Sequence, residues 1–182
     1  MKYAKPLKLY LELTKKNAGL WKPTECHRLL CLDICNRYVH LAVSNPDNTI
    51  AIPLRYDFCC AYDNLMISDY NLAGFIFRYP YKLIEGKGKL LAAEVENFVC
   101  AMCKTGQLRG LKYTYWDDCI NTLDTDLVLN HHLEFICNHL NLPEDLSQDI
   151  MDKFYASRVL QGYIDGAKMM VEIDRGEDKL DN

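Results

Sequence analysis

Two apolar runs, Leu29–Cys35 and Tyr38–Ser44, stand only an Asn36-Arg37 break apart, and nothing else in the sequence constrains the fold so tightly. In the second run Val39, Leu41 and Val43 alternate with His40 and Ala42, which is the two-residue period of a strand. A break this short turns the second strand back along the first. The first run is apolar on both faces except at Asp33, near its end. A charge at the end of a core strand calls for a metal, a partner or solvent, because burying it alone is expensive.

The rest of the chain extends this hairpin. Asn45-Pro46-Asp47-Asn48 has the composition of a turn, and Thr49–Leu54 reads as a third strand, giving a three-stranded meander. Ala73–Tyr79 is a fourth strand, ended by Pro80, and Leu111–Trp116 a fifth. Between them Lys89–Lys104 reads as a helix whose buried stripe is Leu90, Leu91, Val95, Phe98, Val99 and Met102. Cys119–Leu140 reads mainly as helix, and residues 56–71 are ambiguous, with Cys59–Ile67 a helix candidate. Ser147–Met170 is the last helix, with Ser147 as its cap and Met151, Tyr155, Val159 and Tyr163 spaced four apart. Residues 1–27 form an amphipathic arm, helical over Pro6–Lys16, and residues 171–182 a polar tail, frayed from Asp174 on. The expected fold class is therefore α/β, a five-stranded mixed sheet of three antiparallel then parallel strands, flanked by helices.

A chain of 182 residues suits one domain with a real core. Its net charge of −4 points to no global affinity for nucleic acid, but the charge is uneven. Residues 1–40 hold eight Lys/Arg against three acids, and residues 117–182 five against fifteen. The basic end can meet phosphate or the chain's own acidic end, or both can be solvated faces. Nine cysteines, an odd count with Cys31, Cys100 and Cys137 in apolar runs, indicate buried free thiols and a reducing, intracellular compartment. Cytoplasm or nucleus is expected and an organelle stays open, although the lysine-rich start lacks the Arg and Ser of a transit peptide. Cys100-Ala-Met-Cys103 is a lone CxxC; His131, His132, Cys137 and His139 fit no standard zinc spacing, and helical packing accounts for the two thiols. No apolar stretch reaches transmembrane length.

Three carboxylates fall at element ends: Asp33 closing the first strand, Asp118 after the fifth, and Asp152 in the first turns of the last helix. Open sheets gather ligands at the carboxyl ends of parallel strands. Such a set could hold a pair of divalent ions about 4 Å apart, as phosphodiester hydrolysis uses them. Singly, such residues are more often caps than ligands: Asp118 can cap the helix after it, and Asp152 can favour a helix N-terminus.

Residues Leu32 to Ser44, with Asp33 near their start, resemble the opening motif of the YqgF family, Holliday-junction-resolvase-like proteins regarded as pre-16S rRNA nucleases with a ribonuclease H-like fold. The resemblance continues through Ile52-Pro53-Leu54, the strand ending at Pro80, Trp116–Thr122, Met151–Ala156 and Leu160–Asp165, in order across roughly residues 28–168. The run Lys112–Trp116 is similar to that of divergent plant members. The resemblance implies that Asp33, Asp118 and Asp152 are catalytic and bind Mg²⁺ or Mn²⁺. Several positions depart from the family pattern. Asp118 stands for Glu, Cys119 for Arg, and Cys35, His40 and Arg78 for Gly. Glycine admits a ligand close to the backbone, whereas Arg78 can either bind phosphate or pair with Asp33 and occupy the metal's space. His40 is a candidate metal ligand or a partly exposed filler.

Two functions follow. One is a divalent-metal-dependent nuclease acting on structured RNA or branched DNA, with Arg37, Arg78, Lys87 and Lys89 touching phosphate. The other is a catalytically inactive nuclease fold reused as a protein-binding module, consistent with an acidic chain carrying twelve Tyr. A homodimer is compatible with either.

Overall fold

The two apolar runs pair as their pattern requires. β2 (Arg28–Cys35) and β3 (Tyr38–Ser44) are antiparallel, with Leu30 opposite Val43 and Asp33 opposite His40. The Asn45–Asn48 turn forms: Asn45 Oδ1 accepts the N–H groups of Thr49 and Ile50 at 2.7 and 3.0 Å, and Asn48 takes a positive φ of 52°. β4 (Ala51–Leu54) then completes the meander, two residues shorter than expected because Thr49 and Ile50 belong to the turn. This computed structural model describes residues 1–19, 22, 25–35, 38–54, 68–80, 87–117, 135–136 and 139–177. The helix expected over Cys59–Ile67 lies outside these residues, as does nearly all of that over Cys119–Leu140.

β5 (Leu72–Arg78) and β6 (Lys112–Trp116) join the meander in parallel, β5 beside β2 and β6 beside β5. Among the described residues the sheet has six strands rather than five. The additional strand is β1 (Lys2–Tyr3), which pairs parallel to β6 at the outer edge and gives the order β1-β6-β5-β2-β3-β4. The sequence hid it because two residues are too few to show a period.

Side-chain alternation divides the interior into two cores. On one face Leu30, Leu32 and Ile34 of β2 meet Val95, Val99 and Met102 of α2 (Lys87–Lys104). On the other, Leu29, Cys31 and Ile76 meet α1 (Pro6–Asn17) through Leu9 and Leu13, and α3 (Glu144–Glu177) through Val159, Leu160, Tyr163 and Ile164. The segment expected as an arm therefore contributes a strand and a helix to the same body. Leu90, expected in the α2 stripe, is 69% exposed, and Cys100 is exposed as well, because each lies around the helix from Val95, Val99 and Met102. Cys26 and Cys31 are buried.

α3 begins at Glu144, right after Pro143, rather than at Ser147, whose N–H donates to the Pro143 carbonyl at 2.9 Å from within the first turn. It also continues past Asp174, through Glu177. Among the described residues, no helix is long and apolar enough to cross a membrane.

Candidate functional site

Alternation along β2 decides where Asp33 points. Leu32 and Ile34 belong to the α2 core and Cys31 to the α1–α3 core, so Asp33 shares the α1–α3 face. It is 3% exposed. β5 lies parallel to β2 with Leu32 in register with Phe77, which brings Arg78, the last residue of β5, beside Asp33. The Arg78 guanidinium meets the carboxylate through one nitrogen: Nη1 is 3.2 Å from Oδ1 and 3.4 Å from Oδ2. Both oxygens thus face a single cation, without the two parallel bonds of a fork-on-fork pair. His40, half-buried, stands directly across the ladder from Asp33.

The carboxyl end of β6 adjoins the pair. Trp116 is in register with Arg78, and Asp117 follows it, 8% exposed. Asp117 is a buried acid at this strand end that the sequence pattern does not single out. In Trp116-Asp117-Asp118 both acids follow the strand at once, and composition does not tell one from the other.

The remaining expected site residues are not brought together among the described atoms. Asp118 and Arg37 lie outside the described residues. Asp152 and Lys87 lie on α3 and α2, with their side chains outside the described atoms. Lys89 is exposed on α2, the helix packed against the face opposite Asp33. Of the zinc candidates, Cys100 and Cys103 sit on α2, where Cys103 Sγ approaches the Met1 carbonyl at 3.9 Å. His139 stacks on Phe135, and His131, His132 and Cys137 are outside the description. Among the described residues there is no group of three His, Cys, Asp or Glu side chains placed to share an ion.

The chemistry of Asp33 follows from its partner. A hard divalent cation binds through carboxylate lone pairs and tolerates little distortion of its ligand shell. Here both oxygens contact Nη1, so an ion at Asp33 would compete with the Arg78 guanidinium for them. The pair ties the ends of β2 and β5 together. No protein-family model and no curated protein matches this sequence.

Proposed function

We propose that this chain is a ribonuclease H-like fold of the YqgF kind in which an arginine has taken the metal's place at the first carboxylate, and that it works as a protein-binding module. The sheet supports the fold reading: an antiparallel meander whose first strand is central, continued by parallel strands on its other side. The observation that carries the functional reading is the contact of Arg78 Nη1 with both oxygens of buried Asp33. Arg78 stands where the family resemblance expects Gly, so the cation comes with the loss of the open backbone that would admit a ligand.

The test is metal linkage. A ligand that binds only the native state raises its stability, by about 2.7 kcal/mol at a hundred times its Kd. The chain is expected to show no shift of Tm in millimolar Mg²⁺ or Mn²⁺. It is also expected to leave structured RNA and four-way DNA junctions intact. Arg78→Gly is expected to gain an Mn²⁺-dependent Tm shift that Asp33→Asn removes. Cleavage by the unaltered chain, dependent on a divalent ion and abolished by Asp33→Asn, overturns the proposal.

A second reading, the metal-dependent nuclease, draws on the burial of Asp33 and Asp117 at the carboxyl ends of neighbouring parallel strands. It requires Arg78 to swing away before Asp33 can take part. The same cleavage assay decides between the two.

A further inference from the structure

We infer that the β1 edge of the sheet is a docking site for an extended peptide segment in which acidic and apolar residues alternate. This rests on the reading of the chain as a protein-binding module and names the kind of partner. Among the described residues β1 is the outermost strand of the sheet. Lys2 and Ala4 donate their N–H groups to Leu111 and Tyr113 of the β6 side, at 3.0 and 2.8 Å. Strand alternation therefore turns the N–H and C=O of Tyr3 outward, where a further strand would pair.

The two faces beside that edge differ in chemistry. On the α1 face, the flank of α1 turned away from α3 carries Lys5, Lys8, Lys15 and Lys16, with Lys2 next to them on β1. Its orientation is fixed on both sides: the Tyr163 hydroxyl donates to the Pro6 carbonyl on the α3 side, and Glu12 pairs with Lys112 on the β6 side. Glu12 is the one acid of α1 and is already engaged, its carboxyl held low by the Lys112 hydrogen bond and by the charges of Lys112, Lys8 and Lys16. Lys2, Lys5, Lys8, Lys15 and Lys16 make no ion pair with any residue of the structure. On the opposite face, Tyr3 is 48% exposed and leads a row of rings, 5.7 Å from Tyr113 and 6.1 Å from Tyr115.

A strand added to β1 would present its side chains alternately to these two faces. Carboxylates would reach the unpaired lysines, and apolar groups would lie on the tyrosines. Backbone pairing selects a peptide over a nucleic acid or a lipid surface, since neither of those matches a strand edge. Charge complementarity selects acidic over basic segments.

The test uses a dye-labelled, end-blocked 12-residue peptide alternating Glu and Val, followed by anisotropy in EDTA. Controls are a peptide of the same composition with Glu and Val in separate blocks, a Lys–Val alternating peptide, a 12-nucleotide single-stranded RNA and anionic phospholipid vesicles. The alternating acidic peptide is expected to bind at least tenfold more tightly than either control peptide, and to weaken as salt rises. Lys8→Glu with Lys15→Glu, both on the exposed face of α1, is expected to weaken it tenfold or more while leaving Tm unchanged. Tyr3→Pro, which removes the outward N–H, is expected to abolish it. Equal binding of the blocked peptide, no binding at all, or a preference for RNA or vesicles overturns the inference. Because the assay contains no metal, its failure leaves the Arg78–Asp33 reading standing. A metal-dependent Tm shift overturns that reading without touching this one.

Discussion

At the scale of single residues, the balance around Asp33 has a measurable consequence. Removing one partner of a buried ion pair leaves an uncompensated charge, a loss on the order of 3 kcal/mol. Arg78→Ala is expected to lower unfolding stability by about that much in urea titrations. Asp33→Asn should lose less, because the Arg78 side chain is 34% exposed and can turn to water. The double change should be much milder than the sum of the single ones, since the two groups contact each other. Strict additivity would show that the pair contributes nothing. His27 makes a second case. Its Nδ1 is buried without a hydrogen-bond partner, and burial, then the charge of Lys16, hold its imidazole below the ordinary histidine range. The unfolded chain takes up this proton near pH 6.5, the folded chain only at lower pH. The contribution is therefore whole above about pH 6.5 and falls away as pH drops through the depressed folded value. Tm is expected to decline between pH 7.5 and 5.5, and His27→Gln should flatten that decline. Asp33 could be read from the sequence because a lone charge interrupts an apolar run. The burial of Asp117 could not, since it depends on how the chain leaves β6 rather than on composition.

At the scale of elements, packing sets boundaries and spacings that periodicity only approximates. Gly166 of α3 faces the indole of Trp116: a Cβ there would lie 2.9 Å from Cζ2 and 3.0 Å from Cη2. The indole cannot retreat freely, being buried and set edge-to-face on Tyr163 at 5.4 Å. Gly166→Ala gains up to about 1 kcal/mol of helix propensity against an overpacking loss of about 1–3 kcal/mol. The net expectation is a lower Tm with a perturbed Trp fluorescence spectrum; a raised Tm would show that α3 shifts at little cost. The β4 edge is handled by side chains. Gln161 of α3 accepts the Ala51 N–H at 2.9 Å and donates to the Thr49 carbonyl at 3.0 Å, and Pro53 has no N–H to offer. Gln161→Ala frees this edge, and unpaired edges template association. Light scattering of concentrated Gln161→Ala is expected to show self-association absent from the parent chain. The meander, β5, β6 and the described helices were legible in the sequence because each shows a strand or helix period or is a short apolar run bounded by breaks. The start of α3 was not: Pro143 ends the preceding segment and the helix follows at once, so Ser147 as a cap was one turn late.

At the scale of the whole molecule, one sheet serves two cores, and the N-terminal segment belongs to the second. Sequence reading separated residues 1–27 as an arm because α1 carries lysines around only a few apolar residues, and because Pro23 breaks the chain ahead of the first strand. Those apolar residues are nonetheless buried: Leu9 is 3% and Leu13 2% exposed, against Ala73 and α3. Gly74 shows how close the contact is, since a Cβ there would lie 3.0 Å from Leu9 Cδ1 and 3.1 Å from the Lys112 carbonyl. Further ties reach the rest of the fold. Asn17 exchanges two hydrogen bonds of 2.8 Å with the His27 backbone, and Tyr163, fully buried, donates to the Pro6 carbonyl at 2.9 Å. A detachable arm and an integral helix then differ in one measurement. Leu9→Ala and Leu13→Ala each delete a buried side chain, which in a packed core lowers stability by about 2–5 kcal/mol. If α1 folds with the sheet, each change shifts the whole urea transition, read alike by tryptophan fluorescence and by far-ultraviolet circular dichroism. If α1 undocks by itself, the circular dichroism loses a small early phase and the main transition stays where it was. The packing against Ala73, Gly74 and Tyr163 spans β5 and α3 at once, so the expected result is the single shifted transition.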